Sequence, residues 1–466
     1  MCIRDRYDAE KVKDTVKKMT DQLGDLQFAF VDIRPDVQKD KEARTLDIVY
    51  AINETPRVFV ERINVNGNTR TLDKVVRREM ELVEADPFNR SKLARSERNI
   101  RNLDFFERVE VDVSPGSAPD RTVVDIDVEE KSTGELSLGA GFSSTDGPLA
   151  DFSIRERNLL GRGQNLVLSA LVAGERTQFD IGFTEPYFLG RDISAGFDVF
   201  RTERDFQDES SFDQERTGGA LRLGYPLSKN WRQTLRYRFE NNDITDVQDG
   251  ASLFIAEQEG SRTTSAISQR LTYDTRDSRI LTTRGTSYWL DTEFAGIGGD
   301  ASYVSARTGI SHYTPLTSKI ILNVLGEVGA IEGLGSEDVQ INERFFIGDT
   351  TLRGFDRSGI GPRDEVTDDA LGGNVFYRNS VELSFPIGLP EELGITGHAF
   401  NDIGSLVDID QSGADILEES SLRAAVGIGV SWRSPFGPIR IDLAMPYLSE
   451  DFDDEQNFRF DFGTRF

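Results

Sequence analysis

Thr234-Leu235-Arg236-Tyr237-Arg238-Phe239-Glu240 alternates between apolar or aromatic residues and polar or charged ones. A period of two is typical of a β-strand with one apolar and one polar face. The pattern recurs from residue 134 to the C-terminus, and further examples are Leu271 and Tyr273; Tyr288, Leu290 and Phe294; Ile439, Ile441 and Leu443; and Phe458, Phe460, Phe462 and Phe466. This part of the chain is therefore predicted to be all-β.

The connections between the predicted strands alternate in length. The short ones contain Pro or Gly and span 158–163, 186–192, 226–230, 315–319, 386–393 and 435–438. The long ones are acidic or polar and span 205–213, 243–261, 332–373, 407–421 and 448–456. Short turns at one end and long loops at the other are typical of an outer-membrane barrel. We therefore predict about sixteen antiparallel strands in a transmembrane β-barrel over 131–466, with a soluble two-sheet fold as the alternative.

The composition by itself leaves both classes open. The 466 residues carry a net charge of −27 and a mean hydropathy of −0.42. Residues 131–466 hold −22 of that charge, since 1–130 contain 23 basic and 28 acidic side chains. No apolar run approaches the ~20 residues of a membrane helix. An alternating barrel also keeps its mean hydropathy low. The absence of a basic excess argues against nucleic-acid binding.

Catalytic chemistry and cofactors are not predicted. Cys2 is the only cysteine, which excludes an internal disulfide and a cysteine-ligated metal site. The two histidines, His312 and His398, lie near no convincing nucleophile in the sequence. We therefore expect no enzyme activity, no catalytic residue and no cofactor.

Residues 56–130 predict one small α+β unit of the order β-α-α-β-β. A strand runs from Val58 to Val65, and Thr71 is expected to cap a helix that continues to Met80. Asn89 or Ser91 is expected to begin a second helix, which alternating strands over 106–113 and 122–128 follow.

Residues 1–55 predict the last part of a similar unit. A helix over 12–23 is followed by strands over 28–37 and 45–52, without the strand and helix that would begin the repeat. One and a half copies with a period of ~75 residues favour a tandem array. No cleavable signal peptide is visible in the first residues of this sequence. We therefore expect a fragment whose first repeats are missing.

Four short motifs resemble the BamA-type outer-membrane β-barrel assembly factors. They are Ser132-Thr133-Gly134-Glu135-Leu136-Ser137-Leu138-Gly139, Phe183-Thr184-Glu185-Pro186-Tyr187-Phe188-Leu189-Gly190, Leu352-Arg353-Gly354-Phe355 and the terminal Phe466. The resemblance covers 8–466 and implies periplasmic POTRA repeats followed by a 16-stranded barrel in the bacterial outer membrane. It also implies assembly and insertion of β-barrel proteins there. The implied partners are the lipid bilayer, unfolded β-barrel clients and accessory lipoproteins of an assembly complex.

The resemblance assigns a role to the longest loop. Its motif, Leu352 to Phe355, is implied to enter the barrel lumen, where Arg353 pairs with the carboxylates of Glu382 and Asp402. Alternation independently predicts that Glu382 faces inward, since Val381, Leu383 and Phe385 share the opposite face. Asp402 is less clear from alternation, because its face also carries Phe400 and His398. The bare sequence favours a solvated loop arginine at position 353, and only the resemblance favours the pair in the lumen.

The resemblance also implies a lateral seam between the first and last strands. There a client strand would add to an exposed edge by β-augmentation. The seam residues are Glu135, Leu136, Gly139, Gly141, Phe460, Phe462, Gly463 and Phe466. Glycines weaken a strand interior, although an ordinary closed seam with two packing glycines is the other interpretation.

Two weaker candidates remain. The strand with Phe106, Val109 and Val111 is a possible edge for clients or partners, or an ordinary sheet strand. Residues 408–419 match the spacing of a calcium loop through Asp408, Asp410, Ser412 and Glu419, although their flanks predict strands and a solvated acidic loop is the alternative.

Rival functions come from other classes. A TamA-type factor or a two-partner secretion translocator would move a protein substrate across the outer membrane with a similar architecture. A passive porin would lack the N-terminal repeats, and a barrel protease or lipase would need more histidine chemistry than this sequence offers.

Overall fold

The structure is a computed structural model that describes residues 9–25, 32–40, 45–53, 57–335, 337–411, 413, 415–434 and 437–463. It divides into two compact units. The first comprises Met1–Gly134 with Glu156–Gln164, and the second comprises Glu135–Arg155 with Asn165–Phe466. None of the helices within the described ranges is both long enough and apolar enough to cross a membrane.

The first unit begins with a helix and two paired strands. They are α1 (Ala9–Asp25), β1 (Asp32–Asp40) and β2 (Thr45–Asn53). β1 and β2 are antiparallel, with Asp32 opposite Asn53 and Asp40 opposite Thr45. The predicted α-β-β order is observed, while residues 28–31 of the expected first strand lie outside the described residues.

The rest of this unit has the predicted order β-α-α-β-β. Its elements are β3 (Phe59–Asn66), α2 (Asp73–Arg77), α3 (Arg90–Asn102), β4 (Phe106–Pro115) and β5 (Arg121–Glu130). The sheet order is β3-β5-β4, with β3 parallel and β4 antiparallel to β5. The helices cover one face of the sheet and bury a core that includes Val60, Val75, Val76, Ile100, Val124 and Ile126.

The two helix starts differ in how well the sequence predicted them. Asn89 caps α3, since its side-chain oxygen accepts hydrogen bonds from the amides of Ser91 and Lys92 at 2.9 and 3.0 Å. The cap predicted at Thr71 is wrong. Leu72 is the N-cap of α2 and makes no side-chain capping bond, and the helix ends at Arg77 rather than Met80.

The second unit is a closed barrel of sixteen antiparallel strands within the described residues. In wall order they are β6 (Gly134–Ser143), β7 (Gly147–Leu159), β8 (Gln164–Ala173), β9 (Arg176–Glu185), β10 (Ser194–Phe206), β11 (Phe212–Pro226), β12 (Trp231–Thr245), β13 (Gly260–Asp274), β14 (Gly285–Gly299), β15 (Tyr303–Pro315), β16 (Ile321–Gly333), β19 (Val375–Phe385), β20 (Ile395–Val407), β22 (Arg423–Ser434), β23 (Gly437–Leu448) and β25 (Phe458–Phe462). The prediction of about sixteen antiparallel strands is confirmed.

Short elements lie in the connections between wall strands. They are the helical turns α4 (Gln207–Ser210) and α5 (Leu253–Ala256), the 3-10 turns Phe188–Gly190 and Glu391–Leu393, and the two-residue strands β17 (Gly354–Phe355), β18 (Arg363–Asp364), β21 (Ile416–Leu417) and β24 (Glu455–Gln456). β17 pairs with β24, and β18 pairs with β21. The longest connection, 334–374, contains β17 and β18 and is called the long loop below.

Loop lengths alternate less strictly than the sequence predicted. The connection 275–284 is long, although it lies at the barrel end where the other turns are short. It is ordered by Asp277, which accepts hydrogen bonds from the backbone amides of Thr283 and Arg284. At the opposite end, β8 and β9 join through residues 174–175 alone. Length alone therefore does not assign every connection to one end of the barrel.

The two faces of the wall differ as the alternation predicted. On β12, Tyr237 and Phe239 are exposed to the outside, whereas Glu240 is buried within the barrel. Inward charges pair with each other across strands, for example Arg238 with Glu293 at 2.7 Å. The outer surface is therefore apolar and the lumen is lined by ion pairs.

Candidate functional site

Arg353 of the long loop reaches inward-facing carboxylates of two neighbouring wall strands. Its Nε and Nη2 donate to Oδ2 and Oδ1 of Asp402 on β20 at 2.6 and 2.8 Å. Its Nη1 donates to Oε2 of Glu382 on β19 at 2.5 Å. Arg353 is only 8% exposed. Sequence reasoning named these three residues together, and the structure brings them into one site.

The planar guanidinium suits this arrangement. Its donors form a fixed fork that matches the two oxygens of a carboxylate, which the single ammonium group of lysine cannot do. Ser380 extends the site, since it accepts from Nη2 of Arg353 at 3.1 Å and donates to Asp402 at 2.6 Å. We call the contacts of Arg353 with Asp402, Glu382 and Ser380 the arginine clamp.

The neighbours of Arg353 in the motif fit closely against the wall. Gly354 has a φ of +100°, and a Cβ there would lie 2.6 Å from the Cβ of Ala425. Only glycine combines this conformation with so close an approach. Leu352 and Phe355 are fully buried in an apolar cluster with Phe376 and Leu406. The motif thus fixes the loop by packing as well as by charge.

The clamp continues into an ion network that sequence reasoning missed. Arg440 on β23 donates to Glu382 at 3.2 Å and to Asp442 at 2.7 Å. Asp442 also makes a hydrogen bond with Nε2 of His398. The inward position of Arg440 and Asp442 was visible in the alternation of β23, but alternation carries no information about which strands lie opposite.

The seam between β25 and β6 closes the barrel. Phe462 pairs with Phe142, and Asp461 pairs with Ser143. Beyond this register the Ser144 amide donates to the Phe460 carbonyl at 3.0 Å, and the Ser143 hydroxyl donates to Asp461 at 3.0 Å.

The predicted seam residues occupy different parts of this junction. A Cβ on Gly141 would lie 2.3 Å from the Phe462 carbonyl oxygen, and Gly463 follows β25 with a φ of +143°. Gly139 lies in the middle of β6, while Glu135 and Leu136 lie at its start, away from the paired residues. Phe466 lies outside the described residues.

One cavity connects the clamp and the seam. It has a volume of about 570 Å³, and its wall includes Arg353, Glu382, Asp402, Arg440, Phe142 and Phe462. Arg353 of the loop motif and the paired seam residues Phe142 and Phe462 therefore border the same space inside the barrel.

The candidate edge of the first unit is a true sheet edge among the described strands. β4 pairs only with β5, so its other side offers backbone groups. Phe106 and Val109 are buried in the core of the unit and Val111 packs against that core, so the edge would present its backbone rather than these side chains.

The calcium candidate gains no support from the described residues. Among them there is no cluster of three or more histidine, cysteine or acidic side chains suited to a metal. Both oxygens of Asp410 accept hydrogen bonds, from the Val339 amide at 2.6 Å and from Asn374 at 3.0 Å. The Asp408 amide donates to Glu418, the carbonyl oxygen of Glu419 accepts from Arg423, and Ser412 lies outside the described residues.

Comparison with known proteins gives matches over both units. The model of the Omp85 superfamily domain matches residues 158–466, and the POTRA model, described as a surface antigen variable number repeat, matches residues 3–55 and 58–131. The outer membrane protein assembly factor BamA of Neorickettsia risticii is 31% identical over 450 residues, which cover 96% of this chain and 60% of that protein. The chain therefore spans less than two thirds of the length of this curated relative.

Two solved structures share the fold. The crystal structure of BamA from Haemophilus ducreyi lacking POTRA domains 1–3 superposes with a TM-score of 0.81 at 21% identity, and covers 100% of this chain and 95% of that one. CdiB from Acinetobacter baumannii superposes with a TM-score of 0.57 at 13% identity, and covers 95% and 79%. The match of the Omp85 model over 158–466 and the 31% identity to the Neorickettsia relative confirm the resemblance drawn from the four sequence motifs, and the chain belongs to the Omp85 superfamily.

Proposed function

We propose that this protein assembles and inserts other β-barrel proteins into the bacterial outer membrane, with the seam between β6 and β25 as the entry point for client strands. The observation that carries the proposal is the shared cavity, because it joins the clamped loop to the two strands that close the barrel. The named function of the Neorickettsia relative supports the same activity.

Strand addition is the mechanism that fits the seam. Parting β25 from β6 would leave two strand edges with unpaired backbone donors and acceptors, which are a template for an incoming strand. Gly141 permits close approach of another backbone, since a Cβ there would lie 2.3 Å from the Phe462 carbonyl oxygen, and the same close approach would be open to a client strand. The free energy of forming the new hydrogen bonds would drive insertion of the client, so that ATP is not needed.

The first unit would lie in the periplasm and receive unfolded clients or accessory lipoproteins. Its β4 edge offers a ladder of backbone groups to an extended peptide. The buried positions of Phe106 and Val109 support recognition through the backbone, which would suit clients of varied sequence. No catalytic group takes part in this scheme, so the protein would act without enzyme chemistry.

Depletion of the protein from its native cells tests the proposal against its rival. We expect many unrelated β-barrel proteins to disappear together from the outer membrane. The loss of a single exported substrate, with the other barrels unchanged, would instead favour a TamA-type or two-partner secretion translocator.

A crosslink tests the seam itself. In a Cys2→Ser background, a disulfide between Phe142→Cys and Phe462→Cys would tie paired positions of β6 and β25 together. We expect it to block client insertion until a reductant is added. A matched control is Tyr237→Cys with Ile267→Cys, two outward-facing residues that pair between β12 and β13. Equal insertion by both oxidised proteins would exclude the seam as the entry point.

A further inference from the structure

Asp349 of the long loop touches both sides of the seam. The hydroxyl of Thr145, just after β6, donates to its Oδ1 at 2.8 Å. The same Oδ1 forms an ion pair with Nη1 of Arg459 on β25. A single carboxylate oxygen on the loop therefore joins the two strands whose separation would open the barrel.

The two sides are also joined through a second carboxylate. Arg459 donates from Nε to Oδ2 of Asp461 at 2.6 Å, and Asp461 accepts from Ser143 of β6. Arg459 and Asp461 are both buried. Asp349 thus adds a contact from the loop to an ion pair that already faces the seam.

The backbone connects Asp349 to the arginine clamp. Its amide donates to the carbonyl oxygen of Phe355 at 2.9 Å, two residues after Arg353. Gly354 and Phe355 in turn pair with Gln456 and Glu455, just before β25. The position of Asp349 at the seam is therefore set by the same segment that the clamp holds against the wall.

Arg357, a second arginine of the long loop, binds the part of the wall that follows β6. Arg357 donates to Glu175 between β8 and β9 at 2.7 Å and to Glu209 in α4 at 2.8 Å. The long loop is thus attached to the wall on both sides of the seam: through Arg357 on the side of β6, and through the contact of Asp349 with Arg459 on the side of β25.

We propose that Asp349 is a positioning residue that holds the seam closed, so that a client strand can enter only after the loop withdraws this carboxylate. Its meaning for insertion rests on the proposed function, whereas its effect on seam closure does not. Removing the charge would leave Arg459 paired with Asp461 alone, and the strands would part more often.

Asp349→Asn is the primary test, because asparagine keeps the shape and tolerates the positive φ of 53° while it loses the charge. Asp368→Asn is a matched control on the same loop: Asp368 also has a positive φ, of 63°, and its side chain is 75% exposed and pairs with Arg363. Arg459→Gln removes the other member of the pair.

The readout is the hydrogen-exchange rate of the Ser144 amide, which donates across the seam to the Phe460 carbonyl, in the purified full chain with no client present. We expect Asp349→Asn to raise this rate roughly tenfold and Asp368→Asn to leave it unchanged. Exchange follows the ratio of open to closed seam, and a tenfold change in that ratio corresponds to about 1.4 kcal/mol. Arg459→Gln should raise the rate similarly, and the double variant should be no faster than either single one. Migration of unheated samples on gels reports whether each variant is folded.

Each result has a definite meaning. Equal rates for Asp349→Asn and Asp368→Asn in folded protein would overturn the inference, whatever the insertion assays show. Faster exchange of the Ser144 amide in Asp349→Asn, combined with failure of the depletion experiment, would overturn the proposed function and leave the role of Asp349 in seam closure intact. Additive effects of Asp349→Asn and Arg459→Gln would also count against a shared contact.

Discussion

The ring of Phe400 lies directly against the guanidinium of Arg353, with its centroid 3.5 Å from Cζ. The aromatic ring therefore packs on the flat face of the guanidinium, while the carboxylates of Asp402 and Glu382 accept hydrogen bonds from the N–H groups at its edge. A cation held over an aromatic face contributes roughly 0.5–2 kcal/mol, more when both groups are desolvated.

Phe400→Leu removes this face and keeps an apolar side chain. We expect it to lower the free energy of unfolding by about 1–3 kcal/mol, from the lost cation–π contact and the smaller side chain. The fraction of protein that keeps its folded migration on gels, measured against temperature, reports the change. Phe179→Leu is the control, since Phe179 is half exposed on the outer surface. Equal shifts for both variants would mean that the ring does not stabilise the clamp.

Arg353→Lys is expected to impair function more than folding. Lysine keeps the charge but loses the fork that bonds Asp402 at two points. We expect amide hydrogen exchange in residues 350–356 to rise roughly tenfold or more, as for the loss of one charge-assisted hydrogen bond, while the barrel stays folded. Growth after depletion of the native protein measures function.

The control for that substitution is Arg201→Lys, whose side chain is exposed and pairs with Glu203 at 2.8 Å. It should affect neither exchange in the loop nor growth. An Arg353→Lys variant with unchanged amide hydrogen exchange in residues 350–356 and full growth would contradict the role of the clamp.

Glu130→Gln tests a carboxylate outside the barrel. Despite the opposing effect of partial burial, hydrogen bonds from Thr71, Arg70 and Thr69 hold the pKa of Glu130 below its ordinary value of 4.5. A lowered pKa in the folded state stabilises the fold above pH 4.5, and the effect is lost as the pH falls through the folded-state pKa. The protection of the Arg70 and Thr71 amides, which is the intrinsic exchange rate divided by the observed rate, should therefore fall as the pH is lowered through the pKa of Glu130.

In Glu130→Gln this dependence of the protection on pH should disappear. Glu129→Gln, at the exposed neighbouring position, should behave like the unaltered protein. The measurement is hydrogen exchange of the peptide that contains residues 67–72 in the full chain. An unchanged acid dependence in Glu130→Gln would show that another group controls the segment.

Gly141→Ala probes the tightest backbone approach at the seam. The added methyl group would meet the Phe462 carbonyl oxygen at 2.3 Å, so we expect about 1–3 kcal/mol of destabilisation. Gly182→Ala is a control within β9, where the nearest atom, Oδ1 of Asp198, would be 3.4 Å away. Thermal unfolding on gels compares the two variants. Equal stability would mean that the backbones of β6 and β25 can move apart to admit the methyl group without loss of free energy of unfolding.

The pairing of Arg353 with the two carboxylates was implied by the resemblance, and alternation independently predicted only the inward position of Glu382. Glu382 lies opposite a run of outward apolar residues, so alternation alone directs it inward. The inward face of β20 also carries Phe400 and His398, which made Asp402 ambiguous. Phe400 packs on Arg353 and His398 pairs with Asp442, so aromatic residues on this face belong to the polar site.

The contacts of Asp349 were beyond the reach of local patterns. Thr145 and Asp349 are 204 positions apart, and neither belongs to a motif with a recognisable spacing. The failed cap at Thr71 has a similar cause. The carboxylate of Glu130, on the last strand of the unit, accepts from the amides of Arg70 and Thr71, and the helix begins only after them.

The clamped loop has a consequence for the permeability of the membrane. Barrels of sixteen to eighteen strands usually enclose an aqueous channel. Here the long loop enters the lumen and is fixed there by Arg353, so it occupies space that would otherwise belong to such a channel. Under the proposed function, the wall could part to admit a client strand while the loop continues to obstruct the lumen.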